Sequence, residues 1–265
     1  MRVALGVEYD GAAFHGWQTQ DDVRNAQQCV EEAVSSVADH PVRLHCAGRT
    51  DTGVHATGQV VHFETEAVRS RRSWILGTNV NLPGDVSISW AREMPDDFHA
   101  RFSAIGRHYC YHILNRPMRS ALWRDRAVWV HHPLDESSMH RAAQALVGEH
   151  DFSSYRALGC QAKHPVRTLH RLNVSREGEM VKIDVHANAF LHHMVRNIAG
   201  VLIAIGRGEQ RESWARQILE LRDRTKGGVT APPQGLYLTK VDYPDNYSLP
   251  EGPDISLPAS NAAYR

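Results

Sequence analysis

No apolar run in the 265 residues approaches the roughly 20 needed to cross a bilayer. The opening, Met1-Arg2-Val3-Ala4-Leu5-Gly6-Val7-Glu8-Tyr9-Asp10, has no apolar core followed by a small-residue cleavage site. It reads as a first strand, and a cytosolic protein is expected. Cysteine is scarce: Cys29, Cys46, Cys110 and Cys160 lie far apart, with no Cys-x-x-Cys pair. That argues against a zinc knuckle and against a disulfide framework in a reducing compartment. Net charge is absent too, with 30 basic residues against 30 acidic, so a protein that simply coats nucleic acid is not indicated. Histidine is abundant, but no His-Glu-x-x-His is present. The neighbours His131-His132 and His192-His193 point in different directions on a strand or helix, so no metal site is expected. Gly206-Arg207-Gly208 and Gly227-Gly228 lack the Gly-Lys-Ser/Thr continuation of a phosphate loop.

What is present is an ordinary globular pattern, long enough for one large or two medium domains. Arg2 to Tyr9 alternates as a strand and breaks at Asp10-Gly11. Asn25, with Gln28 three residues on, caps a helix whose apolar positions are Ala26, Val30, Ala33, Val34 and Val37. Strands are expected at Val42 to Cys46, Gln59 to Glu64, Val86 to Trp90, Arg107 to Leu114 and Ala127 to His131, with a helix from Ser70 to Asn79. The second half repeats the alternation. A helix begins at Asp135 and runs to Val147, and a hairpin of Arg167 to Ser175 and Met180 to Ala187 turns at Glu177-Gly178. Helical patterns follow over Phe190 to Ile205 and Glu212 to Arg222, and a last strand over Gly235 to Tyr243. No residue-level repeat is visible, so the duplication is one of elements. The sequence divides into residues 1–105, residues 106–244 and a loosely held tail, 245–265, rich in Pro, Ser, Asp and Ala.

Two segments invite chemistry. In Ala47-Gly48-Arg49-Thr50-Asp51-Thr52-Gly53-Val54-His55-Ala56, glycines bracket Arg49-Thr50-Asp51, so the backbone can turn sharply and expose a short carboxylate. A nearby arginine and neighbouring hydroxyls favour its ionised form. Local chemistry alone leaves Asp51 as either a nucleophile or base, or an aspartate capping its own turn. From Phe98 to Arg126 there are six arginines (101, 107, 116, 119, 124 and 126) against the single acid Asp125: either a phosphate-facing surface or a solvated strand face.

The loop resembles the signature of the TruA-type tRNA pseudouridine synthases, and four further segments resemble the same family in order. They are Tyr9-Asp10-Gly11 with Phe14-His15-Gly16-Trp17-Gln18; Phe98-His99-Ala100-Arg101-Phe102-Ser103-Ala104 with Arg107-His108-Tyr109-Cys110-Tyr111; Phe190-Leu191-His192-His193-Met194-Val195-Arg196-Asn197; and Gly235-Leu236-Tyr237-Leu238. The resemblance runs from about residue 2 to residue 243. It implies an α+β fold of two similar halves with joined, mainly antiparallel sheets and the active-site cleft between them. It implies isomerisation of uridines at positions 38–40 of the tRNA anticodon stem-loop, without a cofactor, by a homodimer. Asp51 corresponds to the catalytic aspartate, Arg49 to an arginine that displaces the target base, Tyr109 to the tyrosine packed on the flipped uracil, and Arg196 to the arginine paired with the carboxylate. Arg69, Arg101 and the segment Phe98, His99, Ala100, Arg101, Phe102 fall where the family contacts tRNA. So does Arg156, Ala157, Leu158, Gly159, Cys160. Arg116-Pro117-Met118-Arg119, after Asn115, departs from the pattern, and no single contact is carried across it.

Read without that resemblance, Tyr109 is first of all a core strand tyrosine with its hydroxyl bonded, and Arg196 equally a buried or snorkelling helix arginine. With it, one carboxylate suffices. The N1–C1′ bond breaks, the uracil rotates in place, and C5 joins C1′, so no water need be activated as in a glycosidase. Attack at C6, attack at C1′ and a glycal route all remain open. The target base must first leave its stack, at a few kcal/mol, which a tyrosine stacking surface offsets at about 1–3 kcal/mol per base. Two rivals make different demands: a catalytically silent RNA-binding protein on the same scaffold, and a metal-dependent hydrolase built on the histidines.

Overall fold

A computed structural model describes residues 1–250; the part of the expected tail beyond residue 250 lies outside the described residues. In chain order the elements are β1 (Arg2–Tyr9), α1 (Ala26–Ala38), β2 (His45–Cys46), β3 (His55–Glu64), α2 (Arg71–Asn81), β4 (Val86–Met94), β5 (Gly106–Asn115), β6 (Val128–Val130), α3 (Glu136–Gln144), β7 (Gly148–Asp151), β8 (Val166–Glu177), β9 (Met180–Ala187), α4 (Met194–Gly206), α5 (Trp214–Leu221) and β10 (Leu236–Asp242). The described residues form two compact units, one of Met1–Gly106 together with residues 237–250, the other of Arg107–Leu236. Both units are mainly antiparallel sheets carrying helices, which is the mixed α and β class expected. No helix among the described residues is long and apolar enough to cross a membrane.

In the first unit β1 lies between β4 and β3, antiparallel to both. The other edge of β3 is shared. Its start takes β10 in parallel (Tyr237↔His55), and its end takes β2 antiparallel (Cys46↔Val61). That first pairing is why the last strand, left in the second half by a boundary near residue 105, groups with the first unit from Tyr237 on. Asn25 caps α1 as expected, its Oδ1 accepting from Gln28 N at 2.9 Å. Ala26, Val30, Ala33 and Val34 are buried in one stripe, the amphipathic face that the spacing foretold. β2 is shorter than the expected strand from Val42. Side chains of α1 take the backbone N–H groups that a ladder would use, Val42 N donating to Ser35 Oγ and Leu44 N to Glu31 Oε1, both at 2.9 Å.

In the second unit the order is β5, β9, β8, β7, with β6 parallel to the end of β5. The β8–β9 hairpin turns at Gly178 with φ of 59°, a conformation glycine adopts without steric cost. β7 is the element absent from the sequence reading, four residues paired to the start of β8. α3 packs on β8 and on α4, and α5 packs on α4. α4 starts four residues later than expected, because His193 takes φ of 61° and the turn Leu191 O to Met194 N precedes the helix. Its apolar residues Val195, Ile198, Val201, Leu202 and Ile205 fill the core of the unit.

Candidate active site

The loop carrying Asp51 is held against the end of β1 and the segment after it. Trp17 N donates to Thr50 O (3.1 Å) and Gly53 N to Phe14 O (3.2 Å), so both flanks of Asp51 are tied to one strip of backbone. The buried hydroxyls of Tyr9 and Thr50 share a hydrogen bond of 2.7 Å. Val54 N closes a turn on Asp51 O at 3.1 Å, with Gly53 at φ of 76°, the third-position geometry that favours glycine. Gly16, at φ of 91°, lets the two backbones approach: a Cβ there would sit 2.7 Å from Thr50 O. The loop leaves through His55, which is buried, accepts from Gly11 N at 3.0 Å and stacks on Tyr237 with ring centroids 4.5 Å apart. Asp51 is half-buried and Arg49 exposed. A short carboxylate on backbone pinned at both sides is pre-positioned, which chemistry at one atom requires.

The segment expected to meet RNA divides by burial. Phe98 and Ala100 are fully buried, Phe98 packing on Tyr243 and Tyr247, so neither offers its side chain to a ligand. What the segment presents is Arg101, Phe102, which is 76% exposed, and the half-buried His99. His99 shapes this turn, its Nδ1 accepting from Arg101 N (3.1 Å) and Phe102 N (3.3 Å). Behind it His62 accepts from Ala100 N at 3.1 Å, and the rings of His45, His62 and His99 cluster within about 5 Å of one another. Burial, and after it the proximity of His99, His45 and Arg2, pushes the His62 imidazole down to about 3. Burial likewise lowers His99, with His45 and Arg2 adding to it. Both rings are therefore held neutral, as their acceptor role demands. Arg69 is exposed and anchored at the end of α1, its Nε on Val37 O at 3.0 Å.

In the second unit Tyr109 stands half-buried on β5 opposite Val185, its ring edge-on to Phe190 at 5.0 Å. Tyr111, on the same face of the strand, is fully buried and donates to Pro232 O at 2.7 Å. Burial drives its hydroxyl far above the ordinary tyrosine range, against the lowering charge of Arg196. Arg196 sits in the first turn of α4. Its Nε donates to Ala231 O at 2.8 Å while its own carbonyl accepts from Ala231 N at 3.1 Å, which sets the plane of the guanidinium. Asn197 steadies that arrangement: buried, it donates to Tyr155 O (2.7 Å) and accepts from Thr230 Oγ1 (2.7 Å) and Arg224 Nη2 (3.0 Å). The stretch Arg156 to Cys160 is tied to the turn before α4 through Ala157 N to His192 O at 2.9 Å, and exposes Leu158 and Gly159.

Sequence reasoning missed the holding roles of Tyr9, Thr50 and Asn197, and Gln59, whose amide bonds Gly48 N at 3.3 Å and Gly48 O at 2.5 Å. Gln59 had a signal, a polar amide directly before the apolar pair Val60-Val61, and it is fully buried.

A family model described as tRNA pseudouridine synthase matches residues 6–103 and 142–244. A protein of Methylococcus capsulatus named tRNA pseudouridine synthase A is 57% identical over 266 aligned positions, covering 100% of this chain and 98% of that protein. Proteins of the same name from Pseudoalteromonas atlantica (55% identical; 95% of each chain) and Nitrosococcus oceani (57%; 94% of this chain, 96% of that one) are similar throughout. Among solved structures, a chain of a Cbf5-Nop10-Gar1 complex aligns over 89% of this chain and 48% of its own length, at 12% identity and a TM-score of 0.39. Such full-length identity defines an RNA-modifying isomerase. The chain belongs to the tRNA pseudouridine synthase family.

Proposed function

We propose that this chain converts uridines at positions 38–40 of the tRNA anticodon stem-loop to pseudouridine, with Asp51 as the catalytic carboxylate. The observation that carries the reading is the pinning of Asp51, through Thr50 and Gly53, to the Phe14–Trp17 backbone, in a chain 57% identical along its full length to a protein of this family. The target base leaves its stack, Arg49 enters the vacated space, and Tyr109 packs on the flipped uracil. Arg196 pairs with the catalytic carboxylate. Arg69, His99, Arg101, Phe102 and the stretch Arg156 to Cys160 hold the RNA around that base. Phe98 and Ala100 support the segment from behind. No cofactor enters the scheme. The enzyme works in the cytoplasm as a homodimer, since an L-shaped tRNA extends beyond the surface of one small cleft.

Joining C5 to C1′ expels the hydrogen on C5. Unmodified tRNA carrying tritium at uracil C5 should release it to water with the wild-type protein. Asp51→Asn should bind the tRNA and release none. Folded wild-type protein silent across several tRNAs, or Asp51→Asn that still releases tritium, would overturn the assignment.

A further inference from the structure

Arg49 must enter the RNA stack from a defined point, yet its long side chain is exposed. Its position therefore depends on the backbone beneath it. β2 pairs with β3 through His45↔His62 and Cys46↔Val61, and Ala47 N still reaches Val60 O at 2.8 Å. At the next residue the ladder stops and a side chain takes over. The Gln59 amide accepts from Gly48 N (3.3 Å) and donates to Gly48 O (2.5 Å), as an opposing strand residue would. Gln59 is fully buried, and both ends of its amide are spent on the residue immediately before Arg49. A primary amide is the neutral side-chain group that offers an acceptor and a donor side by side at this length. On the far side of Arg49, Thr50 is held by Trp17 N and the Tyr9 hydroxyl. The arginine thus has a clamp on each side, and the Thr50 clamp is shared with Asp51, whereas the Gly48 clamp is not.

We propose that Gln59 is the positioning residue of Arg49, so that its loss impairs withdrawal of the base from the helix more than the bond changes at Asp51. This rests on the base-displacing role read for Arg49 above. It separates Gln59 from a merely structural glutamine, whose loss would lower turnover on every substrate alike.

Two tRNA transcripts test it, identical except that uridine 39 is paired with adenine in one and mismatched in the other. A mismatched base costs less to flip. Single-turnover tritium release is measured for the wild type, Arg49→Ala, Gln59→Met, Gln59→Glu and Arg49→Ala with Gln59→Met. Gln59→Met keeps length and removes both bonds; Gln59→Glu keeps the acceptor and loses the donor as a carboxylate. The rate ratio, paired over mismatched, is taken within each preparation, so the fraction of folded enzyme cancels. That ratio should fall in Gln59→Met, towards the limit of about a hundredfold that a misplaced group can cost, and fall in the same direction in Gln59→Glu. The double variant should be no worse than Arg49→Ala on the paired substrate, because residues acting as one unit are not additive. An unchanged ratio in both Gln59 variants, or full additivity in the double variant, overturns the proposal. A wild-type enzyme silent on both transcripts overturns instead the activity itself, and the assignment of Gln59 with it.

Discussion

Gly16 offers a way to move Asp51 without touching it. Its φ of 91° lies where an L residue is strained, and an added Cβ would lie 2.7 Å from Thr50 O, 3.2 Å from Asp51 C and 3.3 Å from Thr52 N. A carbon settles no closer than about 3.3 Å to a carbonyl oxygen, so Gly16→Ala must push the loop away by about 0.6 Å. The atoms being pushed are backbone, not the end of a flexible side chain, and the Trp17 N to Thr50 O bond of 3.1 Å opposes the shift. The positive φ costs about 1–2 kcal/mol and the overpacking about 1–3 kcal/mol. About 3 kcal/mol in total lowers the Tm by roughly 6–12 °C for a protein of this size. Displacement on this scale in a reacting group can cost about a hundredfold in rate, so kcat should fall towards that limit while tRNA affinity is kept. Differential scanning calorimetry and single-turnover tritium release give the two numbers. Gly84→Ala is the control, since a methyl there meets nothing within 4 Å and should leave both near wild type. If Gly16→Ala matched Gly84→Ala in Tm and rate, the loop would be compliant and the pre-positioning argument would fail.

Tyr9→Phe deletes the buried 2.7 Å bond to Thr50 and should cost about 1–2 kcal/mol of stability with a fall in kcat and little change in tRNA affinity. Thr50→Val should act on the same bond, so denaturant midpoints of the double variant should show less than the sum of the singles. The pH dependence follows from His62. Its native value of about 3 lies below the ordinary 6.5, so between those values the unfolded chain binds the extra proton and stability is lost as pH falls. At pH 5 this removes about 2 kcal/mol relative to pH 7.5, from 1.36 kcal/mol per pH step below 6.5. Urea midpoints across that range should show the loss in the wild type. They should show a shallower slope in His62→Asn, whose amide oxygen replaces Nδ1 as the acceptor for Ala100 N; equal slopes would refute the assignment to His62.

The features legible in the sequence were those whose causes are local or repeat within a few residues. Asn25 caps through Gln28, three residues away, and the α1 stripe is a period that a single window contains. The early end of β2 was not legible, because Ser35 and Glu31 of the preceding helix capture the N–H groups of Val42 and Leu44. Nothing in the composition of Val42 to Cys46 reports that competition. The start of α4 failed for a related reason. Phe190, Leu191 and Met194 fit the apolar spacing of the helix that follows, and the left-handed turn at His193 is set by backbone rather than by residue type.

The site divides along the same line. Asp51, Arg49, Tyr109 and Arg196 are proposed because each lies in a segment whose wording resembles a family. The residues that fix them lie elsewhere in the chain: Tyr9 is 41 residues from Thr50, Gln59 is 11 from Gly48, and Ala231 is 35 from Arg196. A resemblance read in contiguous words also blurs what burial separates. Phe98-His99-Ala100-Arg101-Phe102 is one motif in sequence, yet its first and third residues face the core while its last two face solvent. Inward-facing side chains hold the backbone, and the exposed pair offers one surface, the Arg101 guanidinium lying 5.7 Å from the Phe102 ring centroid. The same logic applies at Arg49, whose guanidinium reaches outward from a glycine fastened by Gln59. A long side chain can be accurate at its tip only if its root is rigid, and the root is fixed by buried polar groups that no surface motif includes.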